Sequence, residues 1–111
     1  MEKVHESEKE FRFQDSGPKY LFRGPKHEWG LIVFYPGQEL GAHCHDQVEE
    51  SFYVIEGEPK VVVDDAEYRA RKGDAFRIEP KEKHNIVNDT HSPIRLVFIK
   101  CPYLPDDKRA A

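Results

Sequence analysis

A chain of 111 residues forms one domain, large enough for a single hydrophobic core and too short for a second. Its formal charge of -4, with Lys and Arg dispersed among the acids, argues against a nucleic-acid or anionic-membrane surface, since such partners reward clustered cations. No apolar run approaches the roughly 18 residues needed to cross a bilayer, and the polar start from Met1 to Glu10 lacks the apolar core of a leader, so the reading is a soluble, cytoplasmic protein.

Residues 1–10 are mostly charged and read as a flexible or partner-ordered arm. The folded unit is predicted over residues 11–104, with 105–111 as a tail. Phe11 and Phe13, alternating with Arg12 and Gln14, predict a short strand. A second, Tyr20 to Arg23, follows the turn formers Asp15, Ser16, Gly17 and Pro18. Trp29 to Tyr35 is a clear apolar strand ended by Pro36-Gly37. Beyond Gly57, strands are predicted at Lys60 to Val63, Glu67 to Ala70, Ala75 to Ile78, His84 to Val87 and Ile94 to Ile99, separated by Asp, Gly and Pro turns. No window carries an apolar period of 3.6, so the fold class is all-β, a sandwich or small barrel.

Chemistry concentrates between Gly37 and Gly57. His43 and His45 are two apart, and in an extended strand such residues project from one face, so their imidazoles can converge. Cys44 must point the other way. Glu50 can return a carboxylate to the pair from a neighbouring strand, whereas Glu49 has the opposite parity and faces solvent. His84, opening a later strand, supplies a third imidazole. Three imidazoles and a carboxylate are a metal donor set that leaves positions open for a ligand. Alone, His43 and His45 would more simply be two exposed edge-strand histidines; Glu50 and His84 shift the balance towards a metal. The same set accepts Mn, Fe, Co, Ni, Cu or Zn, one divalent ion per chain.

These spacings resemble the signatures of the cupins. Gly37, five residues, His43-x-His45, four residues, Glu50, six residues and Gly57 match the first signature as it stands. The second is matched at Gly73, His84 and Asn88, but Glu79 stands where it has proline and Lys81 where it has a second glycine, with Pro80 one residue later. The resemblance implies a double-stranded β-helix, or jelly-roll cupin barrel, with His43, His45, Glu50 and His84 as metal ligands in its mouth, and a homodimer. It leaves the activity open, because fold does not choose chemistry.

Parity places Phe52, Val54 and Ile86 on the same interior as Glu50 and His84, giving an apolar wall suited to a small molecule or to core packing alike. Arg77, Arg95 and Lys100 interrupt apolar strands and are candidates to grip an anion, although a solvated face is the simpler expectation for each. Cys44 and Cys101 read as free, small buried side chains. His5, His27 and His91 lie in charged or turn segments and read as exposed. Asn88 is expected to hold a turn through its side chain. The outward parity is apolar at Tyr53, Ile55 and Val87, which predicts a cover, a homodimer packed sheet on sheet with Phe11 and Phe13 contributing.

The functional expectation is a mononuclear metal protein acting on a small organic molecule by oxidative, lyase or decarboxylase chemistry. Two alternatives stay open: a binding module without turnover, and a sugar isomerase or epimerase, for which Tyr35 or Lys100 would have to supply the proton carrier. Whether the chain is an enzyme is not decided by the sequence.

Overall fold

Short alternating apolar segments, each broken by Gly, Pro or Asp, fold into ten strands in a computed structural model that describes residues 1–111. They are β1 (Gly17–Arg23), β2 (Glu28–Phe34), β3 (His43–Cys44), β4 (Glu49–Glu56), β5 (Lys60–Val63), β6 (Ala66–Arg69), β7 (Ala75–Ile78), β8 (His84–Val87), β9 (Ile94–Cys101) and β10 (Arg109–Ala110). One sheet runs β1-β2-β9-β4-β7 and the other β10-β3-β8-β5-β6, with antiparallel pairing throughout. No helix is long and apolar enough to cross a membrane.

The core lies between the sheets, where period-two alternation puts Ile32, Phe34, Phe52, Val54, Ile94, Leu96 and Phe98 of the first sheet against Val61 and Ile86 of the second. At Gly57 the backbone has φ of +84°, and a Cβ there would meet the Pro93 carbonyl oxygen and Ile94 at 2.7 Å. Only glycine both reaches that conformation cheaply and clears β9. The turn closes the segment that carries three of the four candidate ligands.

Four expectations need correction. Phe11 to Gln14 is not a strand but a tight turn, in which Phe11 bridges Gln14 and the Phe13 amide donates to the Ser16 carbonyl. The turn formers at 15–17 fold the segment back before it can pair, and Gln14 takes a positive φ of 72°. Strand β1 therefore begins at Gly17, ahead of Tyr20. Strand β9 runs two residues beyond Ile99, to Cys101, because both β2 and β4 continue to pair with it. Cys101, on the outward parity of that extension, is exposed rather than buried.

The chain ends are in contact with the barrel. In residues 1–10, a short 3-10 turn spans Glu6–Glu8, and the Lys19 ammonium donates to the Glu6 carbonyl at 2.9 Å. In residues 105–111, strand β10 pairs with β3, Arg109 opposite Cys44 and Ala110 opposite His43. A two-residue strand such as β3 would otherwise leave backbone groups at a sheet edge unpaired.

Gly30 sets the spacing beneath the barrel mouth. It lies opposite Tyr20 on β1 and Phe98 on β9, whose rings meet edge-on with centroids 5.0 Å apart. A Cβ at this position would lie 1.9 Å from the Lys19 carbonyl oxygen, a backbone atom that cannot step aside. Gly30→Ala is expected to cost about 3 kcal/mol or more in urea unfolding, at the upper end of overpacking effects; a cost below about 1 kcal/mol would show that β1 and β2 are not held this closely.

Candidate metal centre

The four candidate ligands come from three strands and one loop. His43 lies on β3 and is the direct ladder partner of His84 on β8, which brings these two rings to a centroid separation of 4.2 Å. His45 follows β3 on the same side, two residues on. Glu50 enters from β4 in the opposite sheet. All four residues are buried, between 1 and 3 % exposed, and one ligand atom from each falls within 4.8 Å of all the others. One Glu50 oxygen, Oε1, lies 3.0 Å from His84 Nε2, 3.3 Å from His45 Nε2 and 3.7 Å from His43 Nε2.

The other nitrogen of each ring determines what those Nε2 atoms offer. His43 Nδ1 is 2.8 Å from the Gly41 carbonyl oxygen, His84 Nδ1 is 3.0 Å from that of Glu82, and His45 Nδ1 meets that of Asp107. A carbonyl oxygen can only accept, so each Nδ1 carries the proton, and in the neutral ring Nε2 is left as a lone pair. Three lone pairs and a carboxylate oxygen then point at one another in a buried volume. Such an arrangement is repulsive unless a cation stands among them, and a backbone carbonyl on the far nitrogen is the usual way a metal-binding imidazole is oriented. The donor set therefore fits a divalent transition metal.

Protonation states agree with this geometry. Burial pushes the His43 imidazole below its usual value against the pull of Glu50, which keeps the ring neutral near pH 7. Burial by itself would raise the Glu50 carboxyl; hydrogen bonding with the imidazoles, which requires a proton on Nε2, and the charge of Lys100 hold it well below the usual carboxylate range, and a cation among the Nε2 lone pairs would stand in for that proton. It is an anion.

The loop between His45 and Glu50 is fixed by a residue far along the chain. Asp107 accepts from the backbone amides of Asp46, Gln47 and Val48 at 3.0, 2.8 and 3.0 Å, and its own carbonyl orients His45. Those three amides keep its carboxyl below the ordinary value although burial would raise it. Arg109 adds an ion pair to Asp46 at 3.0 Å. On the other flank, Lys81 takes a φ of +73° and donates its amide to the His45 carbonyl at 2.6 Å. The conformation favoured by glycine at that motif position is thus kept with a lysine in place.

Lys100 departs from expectation. Its side chain is only 13 % exposed, and it turns inward opposite both Glu50 and Glu28, donating to the Tyr20 hydroxyl at 2.8 Å and standing 3.9 Å from Glu28. The alternation Ile94, Leu96, Phe98, continued by two residues, was the signal for this orientation. Arg77 is exposed and pairs with Glu79 at 3.1 Å, Arg95 pairs at the surface with Glu6, and Tyr35 is 40 % exposed. Glu49 faces out near Arg77, and His5, His27 and His91 are exposed, as expected. Cys44 is buried and contributes no atom to the cluster. Asn88, fully buried, donates to the Phe34 and Ser92 carbonyls and accepts from Thr90, so it holds the turn. Sequence reasoning missed Tyr20, Arg12, Asp107 and Lys108; the first two were read as strand residues and the last two as tail.

A barrel of two antiparallel sheets with three imidazoles and a carboxylate converging inside it defines the class of protein. Residues 30–100 match the model of the cupin domain, and the chain belongs to the cupin family. A tetracenomycin polyketide synthase protein of Streptomyces glaucescens is 32 % identical over 76 residues, 68 % of this chain and 51 % of the relative. A protein of Methanocaldococcus jannaschii is 28 % identical over 85 residues, 77 % of this chain and 66 % of the relative. The chain thus spans about half to two thirds of the length of these curated relatives. In fold it is similar to a double-stranded β-helix protein of Klebsiella pneumoniae, with a TM-score of 0.84 at 19 % identity, covering 100 % of this chain and 97 % of the other. The polyketide cyclase of Streptomyces resistomycificus gives the same TM-score and identity, covering 100 and 85 %.

Asp107→Ala removes the clamp on the loop and loosens the carbonyl that orients His45. Zinc affinity, read by competition with a chromophoric chelator, is expected to fall about 10- to 100-fold with the far-UV circular dichroism retained; unchanged affinity would show that the carboxy-terminal residues do not support the ligand.

Proposed function

We propose that the protein is a mononuclear metal-dependent cupin that acts on a small organic molecule, with His43, His45, Glu50 and His84 as ligands to one divalent transition metal. The observation that carries this reading is the convergence of three Nε2 lone pairs on the Glu50 carboxylate, each enforced by a backbone carbonyl on Nδ1. A metal held there supplies a Lewis acid that polarises a bound oxygen, or activates water or dioxygen. The likeness to a polyketide synthase protein and, in fold, to a polyketide cyclase supports a small oxygen-bearing substrate.

The residues of the chain divide the remaining work. Phe98, Ile32 and Leu40 form an apolar wall beside His43 and Glu50 that leaves only about 10 Å³ there, room for one water, and so keeps bulk solvent from the ligands. Lys100 and Tyr20, hydrogen-bonded to each other beside Glu50, are placed to hold or pass a proton. That pair favours chemistry with a proton-transfer step, as in lyases, decarboxylases and isomerases, over a site that only stores a ligand.

The outer face of the β4-β7-β9 sheet also bears on function. Tyr53 and Ile99 are 49 and 44 % exposed there, flanked by Val97 and Ala75. An apolar sheet face of this kind supports a homodimer packed sheet on sheet. Multi-angle light scattering at micromolar concentration is expected to give twice the chain mass, and Tyr53→Lys to give a monomer; a wild-type monomer would remove the dimer from the account.

Elemental analysis of protein prepared without a histidine tag is expected to find about one transition-metal ion per chain, and His45→Ala to reduce this several-fold while the fold survives. Less than about a tenth of an equivalent in the wild type, not restored by reloading, would overturn the metal reading.

A further inference from the structure

Two adjoining recesses open from the cluster to the surface, one beside His43 and Glu50 and one beside His45 and Asp107. Four residues line both: Arg12, Tyr20, Lys100 and Lys108. Three of these are cations from three separate parts of the chain, gathered at one opening in a protein whose formal charge is -4.

The acids nearby partner Lys100 but do not neutralise Arg12 and Lys108. Glu50 faces the three imidazoles. Glu28 is bound by Arg23 at 2.8 Å and reaches Lys100 only at 3.9 Å. The Asp107 carboxylate is committed to three backbone amides, and Asp46 to Arg109. No carboxylate stands within 4.0 Å of the charged nitrogens of Arg12 or Lys108. Lys108 is held below the usual lysine value by the burial of part of its side chain and by the charges of Arg12 and Lys100, against the pull of Glu50. Like charges kept together without a counter-ion raise the free energy of the empty mouth, and an anion seated among them lowers it.

We propose that the mouth selects a small organic molecule bearing an anionic oxygen group, carboxylate or phosphate, and that Arg12, Lys100 and Lys108 are the residues that set this specificity. Lys100, innermost and fixed by Tyr20, meets the end of the ligand nearest the candidate ligands. Arg12 and Lys108, at the exposed rim, close over the anionic group with charge-assisted hydrogen bonds. The carbon skeleton lies in the recess beside His45, about 130 Å³ and edged by Val48, Leu104 and Pro105, whereas the one beside His43, about 10 Å³, has room for a water. The carboxy-terminal residues thereby serve twice, through Asp107 on the loop that bears His45 and through Lys108 on the ligand.

The substrate class rests on the proposed function, whereas the anion site rests on the cations alone. The test is calorimetric titration of the full chain, zinc-loaded and zinc-free, with malonate, inorganic phosphate and the neutral analogue malonamide, zinc content being measured on each sample. At least one of the two anions is expected to bind and malonamide not to; malonate alone identifies a carboxylate ligand and phosphate alone a phosphate ester. Arg12→Gln and Lys108→Gln, both at exposed positions, are each expected to weaken the anion about tenfold with zinc content unchanged. Absence of binding by either anion at 10 mM, equal binding of malonamide, or unaltered affinity in both variants would overturn the proposal. Failure to take up zinc, with anion binding to the zinc-free chain intact, would instead overturn the metal reading alone.

Discussion

Everything at the centre of this barrel depends on three hydrogen bonds in which a histidine Nδ1 donates to a backbone carbonyl, at Gly41, Glu82 and Asp107. A carbonyl has no proton to give, so the bonds fix the tautomer and the ring orientation together. Were any of the three reversed, Nε2 would carry a proton, and a donor hydrogen-bonded to Glu50 would replace a metal-binding lone pair. Two of the carbonyls lie two residues before the histidine they orient, so local backbone geometry supplies them. The third is brought from residue 107 and makes the site depend on the end of the chain.

The register of the strands supplies the rest. Pairing of His43 with His84 across β3 and β8 puts two imidazoles side by side in one sheet, while β4 carries Glu50 towards them from the other. In the sheet that carries β4, Glu50, Lys100 and Glu28 form a row across β4, β9 and β2, an acid, a cation and an acid on the inward face. Buried charges persist only when partnered: Arg23 pairs with Glu28, Lys100 has Tyr20 and the flanking carboxylates, and Glu50, facing three imidazole lone pairs, calls for a cation. A one-residue slip in β9 would turn Lys100 out and Cys101 in, and would break the row.

Much of this was legible from period two alone. Because side chains alternate along a strand, His43 and His45 could be placed together, Cys44 and Glu49 excluded from the cluster, and Phe52, Val54 and Ile86 assigned to the interior, all in agreement with the observed placement. The same rule applied to Ile94, Leu96 and Phe98 would have turned Lys100 inward, but a lysine among apolar residues was weighed by its solvation instead. Residues whose role comes from distant pairing gave no local signal. Asp107 and Lys108 follow Leu104-Pro105 in a polar stretch that carries no strand pattern, and their place is set by the backbone groups that β3 leaves open. Arg12 sits on a turn whose amide donates to the Pro18 carbonyl, a closure that alternation between Phe11 and Phe13 concealed.

The tautomers of the three rings can be observed directly. Long-range nitrogen–proton correlation spectra of the histidine rings are predicted to show His43, His45 and His84 protonated at Nδ1 in the protein loaded with one equivalent of zinc, their Nε2 resonances having moved together from the zinc-free positions. Rings protonated at Nε2 in the loaded protein, or Nε2 resonances that ignore zinc, would contradict the metal reading.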